Sequence, residues 1–231
     1  MYAHFFKRLI DFLLSLIAVL VLSPVFLILI VVGAIAMQGN PFFVQLRPGI
    51  IDKKTGKEKI FRLIKFRTMT NKKDTEGNLL PDEVRLVKYG KFLRSTSLDE
   101  LPELFNILVG DMAIIGPRPQ LVRDMVFMTE QQRKRHTVRP GLSGLAQVSG
   151  RNNITWEKKF EYDLEYIEKM SFFFDIKIIF KTVGKVFKRE DTVREGTVSD
   201  MDFGDWLIRN GEVTKEEYDE KQKLAKELME V

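Results

Sequence analysis

Apolar and polar positions divide the chain into three zones. From Phe12 to Met37 no residue carries a charge, and nearly all are Leu, Ile, Val, Phe or Ala. As one straight helix these 26 residues would reach about 39 Å, more than the roughly 30 Å of a hydrocarbon core. Ser23-Pro24 sits near the middle. Pro24 cannot donate to the carbonyl of Leu20 and its ring crowds that turn, while the Ser23 hydroxyl can bond back to the carbonyl of Val19. The halves, Phe12–Leu22 and Val25–Met37, are each too short to span alone, at about 17–20 Å. Lys7 and Arg8 precede the segment; Arg47, Lys53, Lys54 and Lys57 follow it. The positive-inside rule draws both ends to the cytoplasmic side. The pattern predicts a re-entrant helix-break-helix hairpin over residues 1–40. A Pro-kinked single span is the first competing reading. A signal peptide cleaved after Ala34-Ile35-Ala36 is the second, weakened by an apolar run longer than the usual h-region of about 7–15 residues.

The middle zone, residues 41–189, alternates short apolar runs with turn signals. Gly39-Asn40-Pro41 closes the hairpin, and Ile60–Phe66 reads as a strand. Asn71–Glu83, with Gly77, Asn78 and Pro81, reads as an exposed loop. Leu101, Leu104, Phe105 and Leu108 fall at helical spacing. Met112–Ile115 is a brief apolar run, Leu121–His136 a surface helix, and Leu145–Val148 a strand candidate. Trp156–Met170 and Phe172–Lys188 read as helices. In the last, Ile176, Ile179, Phe180, Val183 and Phe187 form an apolar stripe. Lys177, Lys181, Lys185 and Lys188 share an arc of about 80° at 100° per residue. Such a helix suits the interface of an anionic bilayer, where lysines meet headgroups. A core helix with a solvated lysine face is the plainer alternative. The fold class is α/β mixed and helix-dominated, with amphipathic interfacial helices and a small β element.

The third zone, residues 190–231, is a helical tail. Asp202–Asn210, Gly211 and the capping-box pattern Thr214-Lys215-Glu216-Glu217 read as helix, turn and second helix. Tyr218, Leu224, Ala225, Leu228 and Met229 give it a weak apolar face. A partner-binding or homo-oligomerising role and a packed or frayed tail are both open.

Composition changes the picture in two places. The 231 residues hold 37 Lys and Arg against 32 Asp and Glu, a net charge of +5. Residues 200–231 carry ten acids and five bases, leaving 32 bases and 22 acids before them, so a strongly basic body bears an acidic tail. Likewise the mean hydropathy close to zero averages an uncharged segment with a charged remainder. With no cysteine and only His4 and His136, thiolate chemistry, disulfides and histidine-based triads are excluded or disfavoured.

Two adjacent carboxylates, Asp99 and Glu100, stand at the start of the Leu101–Val109 helix. Ser97 with Glu100 fits a capping box, and acids belong near a helix N-terminus. Pro102 favours the first helical position, which would put both acids just ahead of unpaired N–H groups. Lys65, Arg67, Arg94, Arg118, Arg139 and Arg151 accompany them, several in rigid turns such as Gly116-Pro117-Arg118-Pro119, Arg139-Pro140-Gly141 and Gly150-Arg151. A fixed arginine offers a pre-set fork for phosphate oxygens. No Walker A sequence, G-x-G-x-x-G or nucleic-acid-binding module is present, and no nucleic-acid partner is expected.

These motifs, taken in order, resemble the small monotopic phosphoglycosyl transferases, bacterial sugar transferases that start glycan and exopolysaccharide assembly. The motifs are Lys7-Arg8…Asp11, Ser23-Pro24, Lys65-Phe66-Arg67-Thr68-Met69, the run from Arg94 to Pro102, Gly116-Pro117-Arg118-Pro119, and the run from Arg139 to Val148. The resemblance covers about Phe5 to Phe187. It implies transfer of a sugar phosphate from a UDP-sugar to polyprenol (undecaprenyl) phosphate, with release of UMP. It further implies Asp99 as nucleophile through a covalent phosphosugar intermediate, Glu100 in an assisting role, and Mg²⁺ held by Asp99. Substrate contacts would fall to Lys65, Arg67, Arg94, Arg118, Arg139, Gln147 and Arg151. The implied location is the cytoplasmic face of the bacterial inner membrane, in contact with membrane lipids. Larger relatives carry further spanning helices and a domain upstream, for which a chain starting at Met1 leaves no room. The tail resembles the short helical modules called SHOCT. Two other functions compete: a non-catalytic membrane-anchored scaffold that binds a nucleotide or acidic lipid through the same arginines, and a conventional glycosyltransferase, which would release UDP.

Overall fold

The computed structural model describes residues 2–150, 154–188 and 201–230. After a π-helical turn at Tyr2–Phe6, helix α1 runs from Lys7 to Met37 with Pro24 inside it. The sequence led us to expect two helices around a break; one continuous helix is observed. Pro24 leaves the Leu20 carbonyl without its usual donor, and the Ser23 hydroxyl donates to that oxygen at 2.8 Å. The bond goes to Leu20 and not to Val19, because Leu20 holds the orphaned acceptor.

The covered face of α1 repeats at helical period through Lys7, Asp11 and Ser15, then Phe26, Leu29, Gly33 and Met37. Near its start, Arg8 donates to the carbonyls of Ile107 and Leu108 at 2.5 and 2.7 Å. Near its end, the Tyr89 hydroxyl donates to the Leu29 carbonyl at 2.9 Å. Both ends of the helix therefore rest on one globular body. The opposite face is apolar and uncovered, with Leu20, Val21, Leu27 and Ile35 all more than 60% exposed.

Strand β1 (Phe42–Ile51) pairs antiparallel with β2 (Glu58–Phe66), Phe42 opposite Phe66 and Val44 opposite Ile64. Strand β2 matches the sequence reading; β1 escaped it because Pro48 and Gly49 interrupt the run, and a register shift between Pro48 and Ile51 accommodates them. Helices α2 (Asp82–Arg85), α3 (Lys88–Thr96) and α4 (Glu103–Val109) follow. Phe61, Leu63, Phe66, Leu93, Leu104, Ile107 and Met112 form the main core with Phe26 and Leu29 of α1.

Strand β3 (Ala113–Ile115) pairs in parallel with β4 (Gly141–Ser143). Two expectations are corrected here. The stretch Leu121–His136 is not one surface helix but α5 (Val122–Met125), α6 (Glu130–Arg133) and a 3-10 turn at Lys134–Thr137, with Val122, Asp124, Met125, Arg135 and His136 buried. Thr129 causes the restart, since its hydroxyl and Gln132 form a complete capping box. The strand foreseen at Leu145–Val148 is helix α7 (Leu145–Ser149), the strand lying just upstream in β4.

Helices α8 (Trp156–Lys169) and α9 (Phe172–Lys188) fall where the spacing places them. On α9 the core takes Asp175 and Ile178, while Phe173 and Phe180 stand 82% and 74% exposed. Asp175 accepts from Lys7 Nζ at 2.7 Å, the Tyr2 hydroxyl at 2.6 Å and the Tyr166 hydroxyl at 2.8 Å, tying α8 and α9 to the N-terminus. The tail folds as α10 (Phe203–Arg209) and α11 (Lys215–Met229), and the Thr214–Glu217 capping box forms. It is packed: Phe203 joins Phe127, Trp156 and Phe160, and Ala225 is buried against Val122 and Met125.

Helix α3 crosses the end of β2 so closely that a Cβ on Gly90 would lie 1.9 Å from the Thr68 carbonyl oxygen. Backbone cannot yield as a side-chain tip does. Gly90→Ala is expected to destabilise the protein by about 1–3 kcal/mol or more, read by denaturant unfolding in detergent.

Candidate active site

The turn between α3 and α4 carries the two adjacent acids. Ser97 ends α3 in the left-handed region, with φ 55°, and Leu98–Glu100 form a 3-10 turn that runs into Pro102. Ser97 makes no side-chain capping bond. The capping-box reading therefore fails, and the Glu100 carboxylate goes elsewhere. Its Oε1 accepts from Lys65 Nζ at 2.9 Å and from Arg118 Nη2 at 2.6 Å. Lys65 Nζ also stands 3.0 Å from Glu103 Oε1.

Arg118 owes its position to backbone packing. A Cβ on Gly141 would lie 2.1 Å from Gly116 N, and one on Gly144 would lie 2.2 Å from Gly116 O. Only glycines let the Gly116–Pro119 turn settle against the 141–144 segment this closely. Two arginines, Arg135 buried and Arg47 half-buried, then clamp it: Arg135 Nη2 donates to the Arg118 carbonyl at 2.6 Å, and Arg47 Nη1 donates to the Pro119 carbonyl at 3.0 Å. Arg135 is held in turn by Asp163, through Nε at 2.9 Å and Nη2 at 2.6 Å.

Burial would raise the pKa of Glu100, but Arg118 and Lys65 outweigh it and hold the carboxylate well below its usual range. Asp99 moves the other way, raised by burial and by the Glu100 charge against the pull of Lys65, Arg118 and Arg94. Glu103 is pushed up to about 7, chiefly by burial, with Lys65 opposing. Two neighbouring acids thus differ in role: Glu100 is a fixed anion that holds cations, and Asp99 is a carboxylate lacking full compensation.

A polar cleft of about 660 Å³ opens beside these groups. Lys65, Arg67, Arg94, Asp99, Glu100, Arg118 and Gln147 all line it. Arg94 reaches across α3 to donate through Nε to the Thr68 hydroxyl at 3.2 Å. Arg139 is not among the lining residues; its Nε donates to the Gly110 carbonyl at 2.8 Å, at the far end of α4. Arg151 lies outside the described residues. The cleft also recruits groups that sequence reasoning missed, including Arg47, Arg123, Trp156, Asp163 and Asp202. Arg47 was read only as a charge flanking the apolar segment, and nothing in the sequence sets Asp202 apart from other acids of the tail.

A second space, an apolar groove of about 430 Å³, runs from Ala18 and Leu22 of α1 past Leu101, Leu142, Ile179 and Val186. It reaches the same turn. Glu100, Arg118 and Gln147 line both spaces.

The family model described as "Bacterial sugar transferase" matches residues 2–189. The chain belongs to the bacterial sugar transferase family. It is similar to EpsL of Bacillus subtilis, named an uncharacterized sugar transferase, with 47% identity over 80% of this chain and 88% of that one. It is also similar to the UDP-glucose:undecaprenyl-phosphate glucose-1-phosphate transferase of Klebsiella pneumoniae, 40% identical over 79% of this chain. The match covers only 40% of that longer protein. The exopolysaccharide production protein ExoY of Sinorhizobium fredii is 32% identical over 78% of this chain and 84% of its own length. The matched region contains every acid and base of the Lys65–Asp99–Glu100–Glu103–Arg118 cluster and stops short of α10 and α11.

Glu103 gives the cleft a pH dependence. Below pH 7 it is largely protonated, and Lys65 and Arg118 face only Glu100 and Asp99; above pH 7 a further negative charge joins them. Affinity of the cleft for an anionic probe whose own charge is constant across pH 6–8, such as sulfate, is expected to fall about threefold to tenfold as pH rises through about 7. Glu103→Gln should remove that fall. Calorimetric titration across pH 6–8 checks it.

Proposed function

We propose that this protein transfers a sugar 1-phosphate from a UDP-sugar to polyprenol phosphate, releasing UMP, as the first membrane step of glycan or exopolysaccharide assembly. The single observation that carries the reading is the meeting of two unlike spaces at Glu100, Arg118 and Gln147. One is polar and rich in arginine, fit for a nucleotide-activated sugar; the other is apolar and begins on α1, fit for an isoprenoid chain. A group handed from a water-soluble donor to a lipid acceptor needs such a junction. The name of the Klebsiella pneumoniae relative describes a donor and an acceptor of these two classes.

In the first step a carboxylate oxygen of Asp99 attacks the phosphorus bearing the sugar, and the bond to the bridging oxygen breaks. UMP leaves with that electron pair. In the second step a phosphate oxygen of polyprenol phosphate attacks the same phosphorus, and Asp99 departs as a carboxylate. One phosphoanhydride is broken and another formed, so no ATP is required. Lys65, Arg67, Arg94 and Arg118 offset the charge of the diphosphate. Glu100 keeps Lys65 and Arg118 aimed, and Gln147 borders the site of both steps. The two substrates need not be bound together, and ping-pong kinetics are the expected signature.

The residues fit Mg²⁺. Among the described residues there is no group of three metal-ligating side chains. Mg²⁺ is commonly held by one or two carboxylates together with substrate phosphates, and Asp99 is a carboxylate whose charge its neighbours leave incompletely balanced. Asp99 would hold the ion against the donor diphosphate, where it neutralises charge at the reacting phosphorus.

We further infer a monotopic placement on the cytoplasmic membrane face, with α1 bending at Pro24 so that it re-enters the leaflet it leaves. Its two ends bind the same body through Arg8 and Tyr89, and a straight crossing would separate them. The uncovered apolar face of α1 and the exposed Phe173 and Phe180 of α9 suit lipid.

Asp99→Asn is expected to lower UMP release from UDP-sugar and polyprenol phosphate by about 10³-fold or more. Undiminished release would remove the nucleophile, and release of UDP would replace the reaction with conventional glycosyl transfer. Tags at Met1 and in the 71–77 loop should both be cytoplasmic in accessibility labelling; opposite sides would refute re-entry.

A further inference from the structure

Helix α10 begins at Asp202, at the position where an aspartate ordinarily caps its own helix. Here it does not. The capping is done from outside: Asp124 Oδ1 accepts from the Phe203 amide at 2.8 Å and lies 3.5 Å from the Gly204 amide. Asp202 is released from local duty. Its Oδ2 pairs with Arg123, its Oδ1 has no partner among the described residues, and Met201 and Asp202 form part of the wall of the polar cleft that holds Asp99.

The wall is firmly fixed. Phe203 packs on Trp156 and Phe160 with ring centroids 5.2 and 5.1 Å apart. Gly204 lies so close to Phe127 that a Cβ there would stand 2.6 Å from its ring. Lys221 Nζ of α11 donates to the Val126 carbonyl at 2.9 Å. The other carboxylates along this side of the cleft are spent: Asp163 on Arg135, Asp124 on the α10 amides.

A carboxylate is a poor partner for a diphosphate, but an oxygen left open beside an arginine pair, as Oδ1 is here, is a good acceptor for a neutral hydroxyl group. We propose that Asp202, carried by the C-terminal helix pair, is a specificity-determining residue of the donor cleft, accepting hydrogen bonds from ring hydroxyls of the nucleotide-sugar. The segment that bears it lies beyond the 2–189 family match, so it would tune donor choice in this chain independently of the shared catalytic turn. The inference rests on the donor-cleft reading above.

The test uses the full chain in detergent or nanodiscs, with UDP-sugars differing at single hydroxyls and polyprenol phosphate as acceptor. Asp202→Ala should raise donor KM about tenfold or more, leave kcat within about twofold and leave acceptor KM unchanged. Asp202→Asn, whose amide oxygen still accepts, should recover part of the loss. A loss confined to sugars bearing one particular hydroxyl assigns the contact to that hydroxyl of the transferred ring; a loss equal for every UDP-sugar overturns the role in donor choice. Because the thermal midpoint is followed in parallel, a merely structural role would appear as lowered stability and lower kcat with unchanged ratios between donors, which overturns the proposal. Unchanged KM and donor ratios in a stable Asp202→Ala variant overturn it as well, while wild-type activity keeps the donor-cleft reading. A wild-type protein that turns over no UDP-sugar overturns both.

Discussion

The paired cations on Glu100 are the constraint on which the site depends. Lys65 comes from β2 and Arg118 from the Gly116–Pro119 turn, so one carboxylate joins a strand, a turn and the α3–α4 corner. Isolated burial of any of these charges would cost several kcal/mol, and only their mutual contacts offset it. Lys65 meets both Glu100 and Glu103, Arg118 meets Glu100, and the pKa values of Glu103 and Asp99 stay raised by burial. Asp99 borders the same cleft, its pKa raised by burial and by the Glu100 charge, while Arg118 and Lys65 hold Glu100 ionised.

The surrounding fold sets that cluster where a polar cleft meets an apolar groove. Helix α1 lies along the body instead of projecting from it, because polar bonds at both ends fasten it: Arg8 to the last carbonyls of α4, and Tyr89 to the Leu29 carbonyl. Between them the Ser23 hydroxyl repairs the acceptor that Pro24 orphans, so the helix continues where a proline alone argues for a stop. The uncovered side is apolar apart from Ser23. The apolar groove then connects this side to the turn that bears Asp99 and Glu100, and the tail borders the polar cleft.

Much of this was legible in the chain. The uncharged run as a helix, the place of the Asp99-Glu100 pair ahead of α4, the Arg118 turn beside it and the tail's capping box are local signals that the structure carries. The elements that were misread depended on distant partners. Strand β1 has Pro48 and Gly49 within it and is recognisable only once β2 is beside it. Gly141, read as part of a turn, is a strand residue because Gly116 packs on its backbone. Arg139 and Arg118 look alike in sequence, both in Pro-bounded turns, yet one binds Gly110 under α4 and the other binds Glu100.

The sequence by itself determined the class of chemistry: no thiol, almost no imidazole, two adjacent acids, fixed arginines and a segment built for lipid. Those follow from residue type and short-range spacing, which the covalent chain specifies directly. The tertiary structure alone decided which acid is neutralised and which is left exposed to a ligand, which arginines face the cleft, and that Asp202 from the far end of the chain reaches it. Charge compensation and desolvation are sums over spatial neighbours, and those neighbours are set by packing and not by position along the chain.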